Sequence, residues 1–276
     1  MARSTATTLN LPPFSGTTRT LILANLGVFF GLAVLSLLWQ AGERVLVGHT
    51  ALVPALVVRG EIWQLATYSL INPGILGILF GMLTLWFCGS MLEGAYGGRW
   101  VGELYGASVI GGALIATAVT FTHRLGLRPD VGAVGAWAGI FGLLMGIAVR
   151  MGDQEFLLWF VVRIRAKYMV GIYILIDLAM LLRESDSLNM LLHLAGALCG
   201  FLYVRYAPRR GLAFGVAEGW FGVRNDYYRW KRRRAAKKFE VYMGKQGRKV
   251  SFDKDGRYVD PDANAKRDPN DKTWMN

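Results

Sequence analysis

The sequence of 276 residues is 53% apolar and carries a formal net charge of +12. Several apolar segments reach about 17–22 residues, the length that a hydrocarbon core of roughly 30 Å requires. These features exclude a single soluble domain and predict a protein that crosses a membrane several times. The first apolar segment, residues 21–39, is too long for the apolar part of a cleavable signal peptide.

Six apolar segments predict six membrane-spanning helices. In chain order they cover residues 21–39, 75–92, 101–121, 135–149, 168–182 and 190–203. The fourth and sixth are short, which indicates helices buried within the protein rather than exposed to lipid along their whole length. The predicted fold class is therefore an all-α, polytopic membrane protein.

The basic residues are concentrated near the carboxyl end, where 19 of the 31 Lys and Arg residues follow Tyr203. Basic segments stay on the cytoplasmic side of a membrane, and an even number of spans brings the amino terminus to the same side. We expect a cytoplasmic N-terminal tail at 1–20, a membrane domain at 21–206 and a basic cytoplasmic tail at 207–276. We expect a multi-pass protein located in a bacterial cytoplasmic membrane.

Small residues and one histidine distinguish the fourth and sixth predicted spans. Gly135, Gly139, Gly142 and Gly146 recur along the fourth span, and Gly196 and Gly200 form a GxxxG pair in the sixth. Such spacing lets helix backbones approach closely, and ordinary helix packing accounts for it without any special function. His193 is more informative, because a histidine within a membrane span indicates a functional site.

Several stretches carry a resemblance to a known family. Residues 60–65 (GEIWQL) are similar to GEWWRL, residues 135–144 (GAWAGIFGLL) align without gaps on GASGAIFGLL, and residues 193–201 (HLAGALCGF) align on HLGGLLAGF. Between them, residues 83–93 and 97–100 resemble ALWFLG…LE and GSRRF. In this order and at these separations, the stretches resemble the rhomboid family of intramembrane serine proteases. The resemblance implies a six-helix rhomboid bundle.

The resemblance also assigns roles to individual positions. In the family, the serine of GASGA is the nucleophile and a histidine in the sixth span is its general base. These positions map to Trp137 and His193, and the aromatic residue that packs on the imidazole maps to Phe141. The oxyanion-side histidine and asparagine of HxxxN map to Gly77 and Gly81. Because indole cannot attack a carbonyl and glycine has no side-chain donor, three of these catalytic positions are degenerate.

Three points about the site stay open. A second register places residues 132–136 on GASGA, which puts Val134 at the nucleophile position and still supplies no hydroxyl. His193 is either part of a working site or an inherited neutral histidine, stacked on Phe141 and bonded to backbone or water. Asp177, in the fifth span, either faces a cavity or reaches the membrane interface.

The sequence therefore favours a proteolytically inactive rhomboid-family protein that binds transmembrane segments of client proteins. The alternative is an active intramembrane serine endopeptidase, so the question of enzymatic activity stays open. Trp137 at the nucleophile position favours the absence of activity. No cofactor is expected. A metal site is not expected either, because the other histidines, His49 and His123, lie in loops and no cluster of ligands surrounds His193.

The basic tail supports a third function, attachment to a lipid surface. Residues 220–238 interleave aromatic rings with cations, which predicts an amphipathic helix on anionic lipid. An ordinary cluster of charges after the last span is the simpler interpretation, and nucleic acid is not an expected partner. Residues 239–260 alternate apolar and polar side chains and predict a small hairpin.

Overall fold

The computed structural model of the chain describes residues 12–122, 126–158, 162–183, 188–207, 212–247, 250–254 and 257–259. The chain divides into two compact units, Met1–Leu212 and Ala213–Asn276. The first unit contains the apolar helices, and the second contains most of the basic tail. The domain limits expected from the sequence stay a prediction.

The first unit is built almost entirely from helices. In chain order they are α1 (Gly16–Leu38), α2 (Gln40–Thr50), α3 (Pro54–Val58), α4 (Gln64–Thr67), a 3-10 helix (Tyr68–Leu70), α5 (Ile75–Tyr96), α6 (Gly98–Thr120), α7 (Trp137–Arg150), α8 (Ala166–Arg183) and α9 (Leu188–Tyr206). Between α7 and α8, β1 (Glu155–Leu158) pairs antiparallel with β2 (Val162–Arg165). A helix occupies each of the six predicted apolar segments, and the all-α polytopic fold is confirmed.

Helix length and polarity differ among these six helices. Within the described part of the chain, α1, α5, α6 and α9 are long and apolar enough to cross a membrane. Helix α7 has 14 residues and rises about 21 Å, less than the thickness of the hydrocarbon core. Its side chains Ile140, Leu143 and Ile147 are fully buried, and it contacts α5, α6, α8 and α9. Helix α7 is therefore the centre of the bundle.

Glycines set the close crossing of α7 and α9. A Cβ atom on Gly196 would collide with the backbone of Ala138, and one on Gly200 would lie 2.6 Å from the Cα of Gly142. The predicted packing role of these glycines is confirmed. Helix α7 begins two residues after the predicted start at Gly135, which has a φ of 127°.

The connection between α1 and α5 is folded rather than extended. Gln64, fully buried, accepts a hydrogen bond from the Val53 amide at 2.9 Å and donates one to the Glu61 carboxylate at 2.8 Å. The amides and carbonyls of Leu52 and Ala133 exchange two hydrogen bonds of 2.9 Å. This bridge joins the connection to the segment that precedes α7.

The described residues of the second unit form a helix and a short hairpin. Helix α10 (Leu212–Lys245) precedes β3 (Ser251–Phe252) and β4 (Tyr258–Val259), which pair antiparallel. The predicted hairpin is therefore correct only from Ser251 onward, because α10 extends into the stretch assigned to it. Gly256 and Asp260, within that stretch, lie outside the described residues.

The predicted amphipathic character of the tail is wrong for α10. Consecutive residues of a helix point about 100° apart, so the four cations at 231–234 face four different directions. Trp230, Tyr227 and Tyr228 lie among further cations rather than on a separate apolar face. From residue 224 to residue 245, cations point to all sides of the helix.

Candidate functional site

The segment before α7 places Trp137 at the first position of that helix. The Gly135 amide donates a hydrogen bond to the Tyr68 carbonyl at 3.0 Å, and the Ala136 amide donates one to Oδ1 of Asn72 at 3.2 Å. The positive φ of Gly135 lets the chain turn directly into the helix. The position of the indole is thus fixed by contacts with the α1–α5 connection.

Two buried asparagines, which sequence reasoning missed, support this segment. Nδ2 of Asn72 donates a hydrogen bond to Oδ1 of Asn25 at 2.8 Å, and Nδ2 of Asn25 donates to the Leu21 carbonyl at 2.9 Å. Asn25 is fully buried in α1. A polar side chain in the middle of an apolar span was the available signal, because such a residue needs an internal partner.

The two residues mapped to nucleophile and base lie together. The rings of Trp137 on α7 and His193 on α9 have centroids 6.3 Å apart. Phe141, one turn after Trp137, stacks on the imidazole with a centroid distance of 5.2 Å and an interplanar angle of 18°. The predicted stacking of Phe141 on His193 is confirmed, and the three rings form one cluster inside the bundle.

His193 has a carboxylate partner that the sequence analysis did not assign. Nδ1 of His193 lies 3.0 Å from Oδ2 of Asp177 on α8. The side chains are only 16% and 12% exposed. Asp177 thus points into the bundle rather than to the membrane interface, and its carboxylate takes the place of the expected backbone or water partner of His193. The missed signal was the pair of polar residues in adjacent apolar spans.

The two glycines mapped to the oxyanion side lie differently with respect to this cluster. A Cβ on Gly81 would lie 4.0 Å from Nε1 of Trp137 and 3.7 Å from Cδ1 of Ile140. A Cβ on Gly77, one turn earlier, would have no neighbouring heavy atom within 4 Å among the described residues. A side chain at position 81 would thus meet the indole of Trp137, whereas one at position 77 would meet open space among the described residues.

Hydroxyl groups of nearby serines have other partners. Ser108 Oγ donates to the Leu104 carbonyl at 2.9 Å, and Ser69 Oγ donates to the Ala66 carbonyl at 2.8 Å. Val134, the nucleophile position of the second register, precedes α7. Its backbone amide donates a hydrogen bond to Oδ1 of Asn189 at 3.2 Å. Among the described residues, the hydrogen-bond partner of His193 is Asp177 alone.

Among the described residues, the arrangement is an oriented imidazole with no hydroxyl or thiol hydrogen-bonded to it. A carboxylate on Nδ1 selects the tautomer with hydrogen on that nitrogen and leaves Nε2 as the free ring nitrogen. Within the described residues no group of three or more His, Cys, Asp or Glu side chains could hold a metal. The prediction that His49 lies in a loop is wrong, because His49 belongs to α2, 3.2 Å from Glu61; His123 is outside the described residues.

Comparison with known proteins agrees with this architecture. The family model described as the Rhomboid domain matches residues 59–210, which is more than half of the chain. The chain belongs to the rhomboid family. It follows that the protein is an integral membrane protein whose rhomboid domain contains α5 to α9 and the cluster around His193.

Individual rhomboid relatives match over part of their length. Rhomboid-like protein 19 of Arabidopsis thaliana is 28% identical over 169 residues, covering 59% of this chain and 54% of the relative. RHOMBOID-like protein 4 of the same plant is 29% identical over 53% of this chain and 34% of its own length. Rhomboid-like protease 1 of Toxoplasma gondii is 29% identical over 57% of this chain and 51% of its own. The chain thus spans about half or less of these rhomboid relatives.

Proposed function

We propose that this rhomboid-family protein binds transmembrane helices of other membrane proteins and does not hydrolyse them. The observation that carries the proposal is the indole of Trp137, 6.3 Å from the imidazole of His193. The family resemblance puts the nucleophilic serine at that position. Without a hydroxyl beside it, an oriented imidazole has no nucleophile to activate.

The surroundings of Trp137 support the same proposal. Gly81 lies next to the indole at a position where the family resemblance expects a side-chain donor to the oxyanion. Removal of a single such donor typically costs about 100- to 1000-fold in rate. The indole ring itself fills space that a substrate backbone needs in order to approach His193. A site of this kind is suited to contact with a helix and not to bond cleavage.

An active serine endopeptidase is the second candidate, and two observations favour it. Asp177 orients His193 through Nδ1, as a general base requires, and one relative carries the name of a protease. The activity would need a serine hydroxyl from another part of the chain to reach Nε2. Ser69 and Ser108, both buried, instead donate hydrogen bonds within their own segments.

A fluorophosphonate probe separates the two candidates, because it labels only an activated serine. The full-length protein in proteoliposomes is treated beside a rhomboid of established activity, and cleavage of a transmembrane substrate is followed in the same vesicles. We expect neither labelling nor cleavage. Labelling or cleavage that disappears in His193→Ala would contradict the proposal and support the protease.

A further inference from the structure

An apolar groove runs between α1 and α5. Its volume is about 610 Å³, within the range of roughly 300–1,000 Å³ that is usual for ligand pockets. The described residues that line it are all apolar, among them Ile22, Leu26 and Phe30 of α1 and Ile78, Met82 and Trp86 of α5. Both helices are long and apolar enough to cross a membrane. The groove therefore lies at the depth of the hydrocarbon core and opens to lipid.

The groove is too narrow for a helix and suits a single hydrocarbon chain. A Cβ on Gly89 of α5 would lie 2.8 Å from the side chain of Thr18, so the two helices are in direct contact at one end. Ile22 and Ile78 line the groove and are only 5% and 4% exposed, so they form its floor. A helix with its side chains is about 10–12 Å across and would have to push α1 away from α5. An acyl chain, a single row of methylene groups, fits without such a movement.

Arg19 lies on the same side of α1 as this groove. Leu26 and Phe30 follow it seven and eleven residues later, spacings that return to one side of a helix. Side chains of a helix lean towards its N-terminus, so the exposed Arg19 reaches towards the membrane interface at which α1 begins. Among the described residues its guanidinium has no ion-pair partner. From Arg19 to Phe30, α1 rises about 16 Å, which is about half of a hydrocarbon core of roughly 30 Å and thus the depth of one leaflet.

We propose that a phospholipid of the leaflet in which α1 begins binds here, with one acyl chain in the groove and its phosphate at Arg19. A guanidinium and a phosphate form charge-assisted hydrogen bonds. The acyl chain supplies apolar contacts that α1 lacks, since only 11% of the apolar part of this helix is buried. The site does not depend on the chemistry of the cluster around His193, so this inference goes beyond the proposed function.

The groove adjoins the hydrogen bonds that hold the segment before α7. Asn25 lies between Ile22 and Leu26 in the chain, and its Oδ1 accepts a hydrogen bond from Nδ2 of Asn72 at 2.8 Å. Oδ1 of Asn72 in turn accepts a hydrogen bond from the Ala136 amide at 3.2 Å. The bound lipid therefore stabilises α1 in the position that these hydrogen bonds require.

The test is native mass spectrometry of the full-length protein in mild detergent, titrated with a phosphatidylcholine that has one palmitoyl and one oleoyl chain. This lipid has no net charge, so the basic tail contributes little to its retention. We expect one phospholipid molecule to be retained per protein molecule. A diacylglycerol with the same two chains lacks the phosphate and should bind about fivefold more weakly.

Variants of the chain locate the bound lipid. Leu83→Trp fills the groove from its rim and should weaken lipid binding at least about tenfold, within the usual cost of overpacking. Leu114→Trp, on α6 and outside the groove, is the matched control, because both leucines are 51% exposed. Its affinity for the lipid should be unchanged. Arg19→Gln should weaken binding about fivefold, and Arg19→Lys, which keeps the charge, should restore most of it.

Several outcomes would overturn this inference. They are equal loss of the lipid in the two tryptophan variants, unchanged binding in Leu83→Trp, and a diacylglycerol that binds as tightly as the phosphatidylcholine. Far-UV circular dichroism checks that each variant is folded. Leu79→Trp, at a second exposed position of the groove, repeats the test if Leu83→Trp fails to fold.

Discussion

At the scale of single residues, the hydrogen bond between Asp177 and His193 is the main polar contact between α8 and α9. Both side chains are largely buried, so removal of one leaves the other without a partner in an apolar environment. A hydrogen bond to a charged group contributes about 1.5–3 kcal/mol, and loss of one partner adds the cost of an unsatisfied buried group. This pair therefore contributes to stability whatever its role in function.

We predict that Asp177→Ala lowers the free energy of unfolding by about 2 kcal/mol. The measurement is unfolding of the full-length protein by increasing SDS in mixed micelles, followed by far-UV circular dichroism. Leu175→Ala, which removes a 66% exposed side chain from the same helix, serves as the control. Equal loss of stability in both variants would show that the contact with His193 is not the cause.

We predict that Trp137→Ser alone does not produce a fluorophosphonate-reactive serine. The substituted hydroxyl would stand at the first residue of α7, but Gly77 and Gly81 still supply no side-chain donors for an oxyanion. Labelling intensity is compared with that of the unaltered protein and of Trp137→Ser combined with His193→Ala. Labelling of the single variant that the second substitution abolishes would show that the rest of the site is competent.

At the scale of elements, the bundle depends on the close approach of α7 and α9. Gly200→Ala would place a methyl group 2.6 Å from the Cα of Gly142, a backbone atom that cannot move aside. We predict a loss of about 1–3 kcal/mol, the usual cost of overpacking. Gly171→Ala in α8 is the matched control, because its Cβ position is open among the described residues. Its stability in the same SDS titration should be unchanged or slightly higher.

The sequence predicts the positions of the apolar helices better than it predicts the contacts within the candidate site. Apolar runs were sufficient to locate α1, α5, α6, α7, α8 and α9, because length and hydropathy are local properties. The resemblance to the rhomboid motifs also implied that Trp137, Phe141 and His193 lie together. The contact of Asp177 with His193 was missed, since it depends on the rotation of α8 about its axis. That rotation is set by packing against α7 and α9 and not by any local pattern.

At the scale of the whole molecule, the orientation of the chain in the membrane is still a prediction. The basic tail and the even number of predicted spans place both termini in the cytoplasm. A cysteine introduced at Lys245, in a variant without Cys88 and Cys199, should react with an impermeant maleimide only after the membrane is opened. A cysteine at Arg44, in α2, should react in intact cells. The reverse pattern would invert the predicted topology.

We propose that the tail binds anionic lipid. The distribution of cations around α10 changes the expected mode of that binding. Between residues 224 and 245 the cations lie on all sides of the helix, so we expect this part to be attracted to lipid electrostatically, at about 1 kcal/mol per cation near the surface. We predict that a peptide of residues 224–245 binds anionic vesicles in low salt and is released as salt shortens the Debye length below about 8 Å. Equal binding to neutral vesicles would leave the charge cluster as a topology signal alone.

The contact between Asp177 and His193 also constrains how the protein enters the membrane. An aspartate near the centre of a lone helix raises the free energy of insertion by about 2.5–3.5 kcal/mol. Helix α8 carries Lys167, Asp177 and Arg183, and it is not among the described helices apolar enough to cross on their own. Helix α9, next in the chain, brings the imidazole that pairs with the carboxylate. During biosynthesis, α8 should therefore be retained at the translocon until α9 is made, and the two should partition into lipid as one helical hairpin.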